Sequence, residues 1–458
     1  MLNSLLLAEL TESIRLPENA PKPFTAVSTD TRKITKDALF VPLIGDRFNG
    51  HDFLNAAVSS GASAAIWQVG QPLPKELPND FQLYFVKDTL AALQQMAKTY
   101  RQLVNPIVIA VTGSNGKTTT KDLLSAVLSL HGETYKTQGN YNNHIGLPLT
   151  ILSMPSSTEY LILEMGMSGY REIALLSRLA TPDEAIVTNI GESHMEQLGS
   201  REGIAKAKME IREGLKDGGS VILDGDEQLL ISYRNEETFT VGFSNDCNAV
   251  VSFIQPSETG YSFTYESAGR FEIPLLGLHN VKNAAYCIAV AKKLGLSDEL
   301  IRQGLDTVSL TGMRLERQLG KRGETIINDA YNASPTSMIA AIETLKALPH
   351  FKKRIAVLGD MFELGQNEEA MHRNVVQAIS APLTHLVCVG EKAQWIADEW
   401  NKSANQTIAM YATTSKSDAA AYLQAIVDER SAVLFKASRG MKLEEIIQNY
   451  QFNERRND

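Results

Sequence analysis

The sequence predicts an α/β protein of three domains. A smaller N-terminal α/β domain precedes a central domain with a mostly parallel sheet, and a Rossmann-like α/β domain follows at the C-terminus. Two observations predict this. The 458 residues leave room for about three domains at roughly 150 residues each. Short apolar runs also alternate with helical patterns along most of the chain, as parallel βα units require.

In chain order, SAAIWQV (63–69) is the first buried run, and the Pro-punctuated QPLPKELPND (71–80) reads as a surface loop. The helical pattern 88–104 ends at Asn105-Pro106, where proline disfavours helical geometry at the residue before it, giving a first domain of 1–105. IVIAVTG (107–113), EYLILEMG (159–166), EAIVTNIG (184–191) and SVILDGD (220–226) are then strands of a central domain spanning 106–312. Alternating polarity between Thr238 and Pro274 predicts a small antiparallel insert. Two helices follow over 279–295 and 297–308, the second capped by Ser297. RIAVLGD (354–360), THLVCVG (384–390) and SAVLFKAS (431–438) supply strands of the last domain, 313–458, which closes on a solvated tail, NERRND. Trp395 and Trp400 are expected to pack a helix.

Composition narrows the function. Lys plus Arg number 44 against 53 Asp plus Glu, a net charge of −9, which argues against nucleic acid or an anionic membrane surface as partner. Three dispersed cysteines, Cys247, Cys287 and Cys388, give neither a disulfide framework nor a thiolate metal site. The start MLNSLLLAELTE lacks a basic leader and is interrupted by Glu9 and Glu12, and no run approaches 18 apolar residues. A cytoplasmic protein without membrane insertion is expected.

The strongest motif is TGSNGKTTT (112–120), placed between an apolar strand and a helical segment. Glycine permits a tight turn of inward-facing N–H groups, and the helix start favours anions, which makes this a P-loop and the central domain mononucleotide-binding. Lys117 would reach the β- and γ-phosphates and Thr118 a Mg²⁺ ion. The loop is shorter than the general pattern, which would need glycine where Val111 stands.

Glu164 ends a strand, beside the crevice where open α/β sheets bind ligands, and suits Mg²⁺. Taken alone it is equally a strand-end acid. Asn189 and His194 lie in the loop after the next run, and a lone loop histidine is more often a hydrogen-bonding residue than a ligand. Lys206 and Lys208 cannot share a helical face, and both read as solvated without other information.

These segments, in this order, resemble the central domain of the Mur ligase family, the ATP-dependent amide-forming enzymes of peptidoglycan precursor synthesis. The likeness extends to STDTRKI (28–34), FVPLIGDRFNGHDF (40–53), GNYNNHIGLPLT (139–150), NDAYNASPTSM (328–338) and VLGDMFELG (357–365). Members that add diaminopimelate or lysine carry DYAHNP where this chain has DAYNASP, and the DNPR motif is absent.

The resemblance implies ATP-dependent joining of D-alanyl-D-alanine to UDP-N-acetylmuramoyl-tripeptide through an acyl phosphate, by a monomer. Gly113, Ser114, Asn115, Gly116, Lys117, Thr118 and Thr119 would cradle ATP phosphates. Asn280 and Asn283 would lie near the adenine, Asp329 towards the ribose and Arg314 towards phosphate. Thr118 and Glu164 would hold one Mg²⁺. His194 would help bind a second, bridged by Lys208 as an N-carbamate, with Lys208 chosen over Lys206 from its match to the family's position. Ser28, Asp30, Thr31, Arg32, Arg47, Asn49 and His51 fall in segments resembling a uridine-nucleotide site. Asn140, Asn143, Asn332 and Ser334 are further substrate contacts, and Lys436 a weaker one. Helix capping remains an equal reading for Asn280 and Asn283, and a simple turn for STDTR. Two rivals stay open: another Mur-type or folylpolyglutamate-type ligase with a different acceptor, and a nucleotide-driven switch or binding protein that ligates nothing.

Overall fold

The computed structural model describes residues 7, 11–15, 23–74, 76–257, 259–266, 268–402 and 407–452. Most of the apolar start and the tail expected at 453–458 lie outside them. All eight apolar runs named above contain strands. They fall into three sheets, of five, nine and six strands.

The central sheet runs in spatial order Gly269–Ile273, Tyr261–Tyr265, Ala249–Pro256, Thr238–Gly242, Ser220–Asp224, Glu184–Val187, Ile107–Thr112, Tyr160–Glu164, Thr134–Lys136. The expected antiparallel insert is smaller than predicted and is not separate. Thr238–Gly242 joins Ser220–Asp224 in parallel, and Ala249–Pro256 joins it in parallel in turn, so that only the last three strands pair antiparallel. Alternating polarity reports one covered face, which is commonest in antiparallel pairs but does not by itself fix strand direction.

Both faces of the parallel part are covered, hence the continuous apolar runs. Along Ile107–Thr112, Val108 and Ala110 enter one core and Ile109 and Val111 the other. The second core is closed by the helices Lys117–Leu128 and Leu278–Lys293. The first is continuous with the N-terminal domain through Leu39, Ile66 and Met96.

Caps set the helix ends, as the sequence indicated at Asn105-Pro106 and at Ser297. Asp88 accepts from Ala91 N–H to start Thr89–Val104, and Asn105, at φ 52°, ends it ahead of Pro106. Ser297 accepts from Leu300 N–H at the start of Asp298–Asp306. In the last sheet Thr325–Asn328, Ser431–Lys436 and Lys353–Gly359 lie side by side in parallel. Trp400 is buried in that domain's core, and Trp395 packs edge-on against His372. Among the described residues no helix is long and apolar enough to cross a membrane.

Candidate active site

The carboxyl ends of four neighbouring central strands open on one cleft of about 410 Å³, whose far wall comes from the last domain. Strand order reverses at Ile107–Thr112, which is where a doubly wound sheet leaves a crevice.

The phosphate loop is built by contacts that require its sequence. A Cβ on Gly113 would lie 1.8 Å from Thr188 Oγ1, and one on Gly116, at φ +83°, would lie 2.6 Å from Asn283 Oδ1. Ser114 N–H donates to the Asn189 carbonyl at 3.1 Å, Asn115 N–H to Asn189 Oδ1 at 2.9 Å, and Gly191 N–H to Ser114 Oγ at 2.8 Å. Asn189 thus holds the loop, and the first-turn amides of Lys117–Leu128 face the cleft without intrahelical partners. Lys117 Nζ donates to the Gly113 carbonyl at 2.7 Å. Burial holds its ammonium below the ordinary lysine value, Glu164 opposes that shift, and the Arg314 cation adds to it.

Glu164 is buried at its strand end, where Oε2 accepts from Thr118 Oγ1 at 2.7 Å and Oε1 from Asn142 Nδ2 at 3.0 Å. Among the described residues no three His, Cys, Asp or Glu side chains gather as a metal cage. One carboxylate beside one hydroxyl, facing an anion-binding loop, is a donor set that fits Mg²⁺, whose shell is completed by phosphate oxygens and water.

His194, at φ 65°, lines the cleft, and its Nδ1 lies 3.0 Å from Glu363 Oε2 across the domain boundary. Burial, then the Lys208 and Lys117 cations, hold it at about 4, so its imidazole is neutral at neutral pH. The two helix lysines separate cleanly. Lys206 is exposed, with its ammonium 6.0 Å from the Tyr170 ring centre, whereas Lys208 is 2% exposed and held well below the usual lysine range by burial and by Lys117.

Asn280 and Asn283 are buried along one face of Leu278–Lys293. Asn280 Nδ2 donates to the Leu276 carbonyl at 2.7 Å and Asn283 Nδ2 to Asn280 Oδ1 at 2.9 Å, and both side chains line the cleft. Opposite them, Arg314 stacks on Tyr331 at 4.2 Å. Asp329 and Lys436, at the carboxyl ends of adjacent strands, pair at 2.7 Å. Asn332 is exposed at the rim.

Most other expected contacts fall elsewhere. Ser334 is the N-cap of Pro335–Ala347, in a reciprocal capping box with Ser337, and does not line the cleft. Asn143 lines the cleft, and its Oδ1 accepts from Gly146 N–H at 2.8 Å at the start of Gly146–Ser153, whereas Asn140 is exposed outside the cleft. None of the seven first-domain residues lines the cleft. Ser28 Oγ accepts from Asp30 N–H, Asp30 takes Arg32 in two bonds, and Thr31 begins the resulting turn. His51 Nδ1 meets Asn49 Oδ1 at 2.8 Å and its ring packs edge-on against Trp67, while Arg47 is exposed.

Several residues here had no individual signal in the sequence. Asn142 touches Glu164, Tyr331 carries Arg314, and Glu192 accepts from Thr336 Oγ1 at 2.7 Å across the domains. Asn142, Tyr331 and Thr336 sit inside segments that carried the family likeness, but nothing in their spacing separates them from their neighbours.

A P-loop α/β domain followed by a Rossmann-like domain, sharing one cleft, defines an ATP-dependent ligase class, and comparison with known proteins names it. The Mur ligase family catalytic domain matches residues 23–101, the Mur ligase middle domain 111–291, and the Mur ligase glutamate ligase domain 313–439. The chain belongs to the Mur ligase family. It is 47% identical over 428 residues, 92% of each chain, to the UDP-N-acetylmuramoyl-tripeptide--D-alanyl-D-alanine ligase of Bacillus subtilis. It is 34% identical to the Escherichia coli protein of the same name, over 98% of this chain and 99% of that one. Among solved structures it is similar to MurF from Acinetobacter baumannii, with TM-score 0.88, 28% identity and 99% of both chains covered. It is also similar to MurF ligase from Thermotoga maritima in complex with ADP, with TM-score 0.81, 29% identity and 93% and 97% covered.

Proposed function

We propose that this protein is an ATP-dependent ligase that joins D-alanyl-D-alanine to UDP-N-acetylmuramoyl-tripeptide, as a monomer, in the cytoplasmic stage of peptidoglycan synthesis. The observation that carries the reading is the shared cleft, where the phosphate loop of one domain faces Arg314, Asp329 and Asn332 of another. The relatives' names supply the acceptor. We place the domain divisions at 105 and 312, since each sheet lies wholly inside one of the three segments.

A carboxylate is a poor acyl donor, and ATP corrects this. A carboxylate oxygen of the tripeptide bonds to the γ-phosphorus as the bond to the β-phosphate oxygen breaks, releasing ADP. The acceptor amine then bonds to the acyl carbon, the C–O bond to phosphate breaks, and the amine proton leaves to solvent. Both steps gather negative charge between nucleotide and carboxylate. Lys117 and Arg314 face that region with preorganised cations, and the helix start adds its dipole.

Gly113 to Thr119 would cradle the phosphates, Asn280 and Asn283 the adenine, and Asp329 the ribose. Thr118 and Glu164 would hold one Mg²⁺, and His194 with an N-carbamate on Lys208 a second; when bound, such ions neutralise developing phosphoryl charge. The carbamate has a physical basis, because only a neutral amine adds CO₂, and burial favours the neutral form of Lys208. The uridine nucleotide is assigned to the first-domain segments 28–32 and 47–51, with Asn140, Asn143 and Asn332 as peptide contacts.

Phosphate release from ATP, measured with the UDP-linked tripeptide in the presence and absence of D-alanyl-D-alanine, tests the reading. Diaminopimelate with the dipeptide form is the control. Turnover only with D-alanyl-D-alanine, yielding a pentapeptide, is expected. Phosphate release indifferent to every amine would refute the acceptor assignment.

A further inference from the structure

The linker into the last domain is pinned to the phosphate-binding helix. Asp122 lies one turn beyond Lys117 and Thr118, and its side chain is fully buried. Its Oδ2 accepts from both Thr311 N–H and Thr311 Oγ1, each at 2.9 Å. Oδ1 takes Lys136 at 2.8 Å and Lys121 at 3.4 Å. The preceding helix, Asp298–Asp306, is pressed on the same element, since a Cβ on Gly304 would lie 2.5 Å from Val127 Cα.

Beyond Thr311 the chain is strained. Met313 and Leu315 have φ of 62° and 50°, conformations costly for side chains of that size, and Leu315 N–H is held by Asp329 Oδ1 at 3.2 Å. Arg314 stands between these two anchors and is driven into the cleft over Tyr331, with its Nε buried and unpartnered. A buried, multiply bonded carboxylate has one geometry, so the helix that carries the phosphate lysine also fixes where the linker begins.

We infer that Asp122 and Thr311 are positioning residues that act through Arg314. They hold the strained 313–315 segment so that its guanidinium meets charge developing on the transferred phosphoryl group. The inference rests on the nucleotide half of the proposed function and not on the acceptor.

The test compares ADP alone with ADP–aluminium fluoride, a mimic of the transferring phosphoryl group, by calorimetry on the full chain with Mg²⁺. Thr311→Val removes one bond and leaves the Asp122 ion pairs intact. It should weaken the fluoride complex about tenfold, the loss of roughly one hydrogen bond to a charged group, and leave ADP affinity unchanged. Thr311→Ser should restore binding, and in an Arg314→Ala background Thr311→Val should have no further effect. Asp122→Asn should act in the same direction, and its melting temperature reports any general damage. Equal weakening of both ligands, or a loss that persists undiminished in Arg314→Ala, would overturn the inference, as would failure of ADP to bind. Loss of D-alanyl-D-alanine dependence with this binding pattern intact would overturn only the acceptor assignment.

Discussion

Thr118 Oγ1 donates to Glu164 Oε2 at 2.7 Å, joining the first turn of the helix Lys117–Leu128 to the end of a strand 46 residues away. The pair places a hydroxyl and a carboxylate on one side of the anion site, and Asn142 fixes the other carboxylate oxygen. Glu164→Gln keeps the shape and removes the charge. The Mg²⁺ concentration for half-maximal phosphate release should rise at least about tenfold, and a wild-type titration would refute the metal role.

Lys117 is the cation nearest the loop carbonyls. By analogy with removing one preorganised oxyanion donor, its loss should cost at least about 2.7–4 kcal/mol of transition-state stabilisation. Lys117→Ala should therefore lower kcat about 10² to 10³-fold, and near-wild-type turnover would sink the P-loop assignment.

For Lys208 the decisive observation is chemical rescue. Lys208→Ala should be inactive and regain part of its turnover with a short carboxylate in the buffer, which can occupy the space of the carbamate. Full activity without rescue would count against the carbamate.

Ser334 separates a structural from a substrate role. As half of a capping box it should contribute about 1 kcal/mol of stability. Ser334→Ala should lower the melting temperature and leave the KM for D-alanyl-D-alanine unchanged. A raised KM at unchanged stability would restore the substrate contact expected from the sequence.

His372 is fully buried, accepts from Met361 N–H at Nε2 and donates to the Glu368 carbonyl from Nδ1, so it is neutral. Burial depresses its pKa below 6.5. Below about pH 6.5 the unfolded chain binds a proton that the folded chain refuses, so stability falls as pH drops from there towards the depressed value, and this histidine has no effect on it well above pH 6.5. Melting temperatures from pH 8 to 5 should show a shallower acid slope in His372→Gln.

How much of this was legible beforehand depends on the kind of signal. Gly113, Lys117 and Glu164 were readable because turn, helix start and strand end are local events with local residue preferences. Lys208 was chosen over Lys206 by family likeness, and burial of one beside exposure of the other gives that choice a physical ground. Ser334 reads as a substrate contact within its motif segment, yet it caps a helix outside the cleft, whereas Asn143 lines the cleft. A short polar side chain before a helix satisfies either description in one dimension.

The sequence by itself determined the buried strands, the helix end at Asn105 and the cap at Ser297, and the glycine-rich turn before Lys117, because each is dictated by periodicity and backbone chemistry within a few residues. Only the tertiary structure decided that Asn142 supports Glu164, that Asp329 meets Lys436, and that Asp122 ties down Thr311 across 189 residues. Those pairs join residues distant in the chain through one or two hydrogen bonds or an ion pair. Such contacts leave no period, run or spacing in a sequence, and they exist only once the sheets have fixed their strand order.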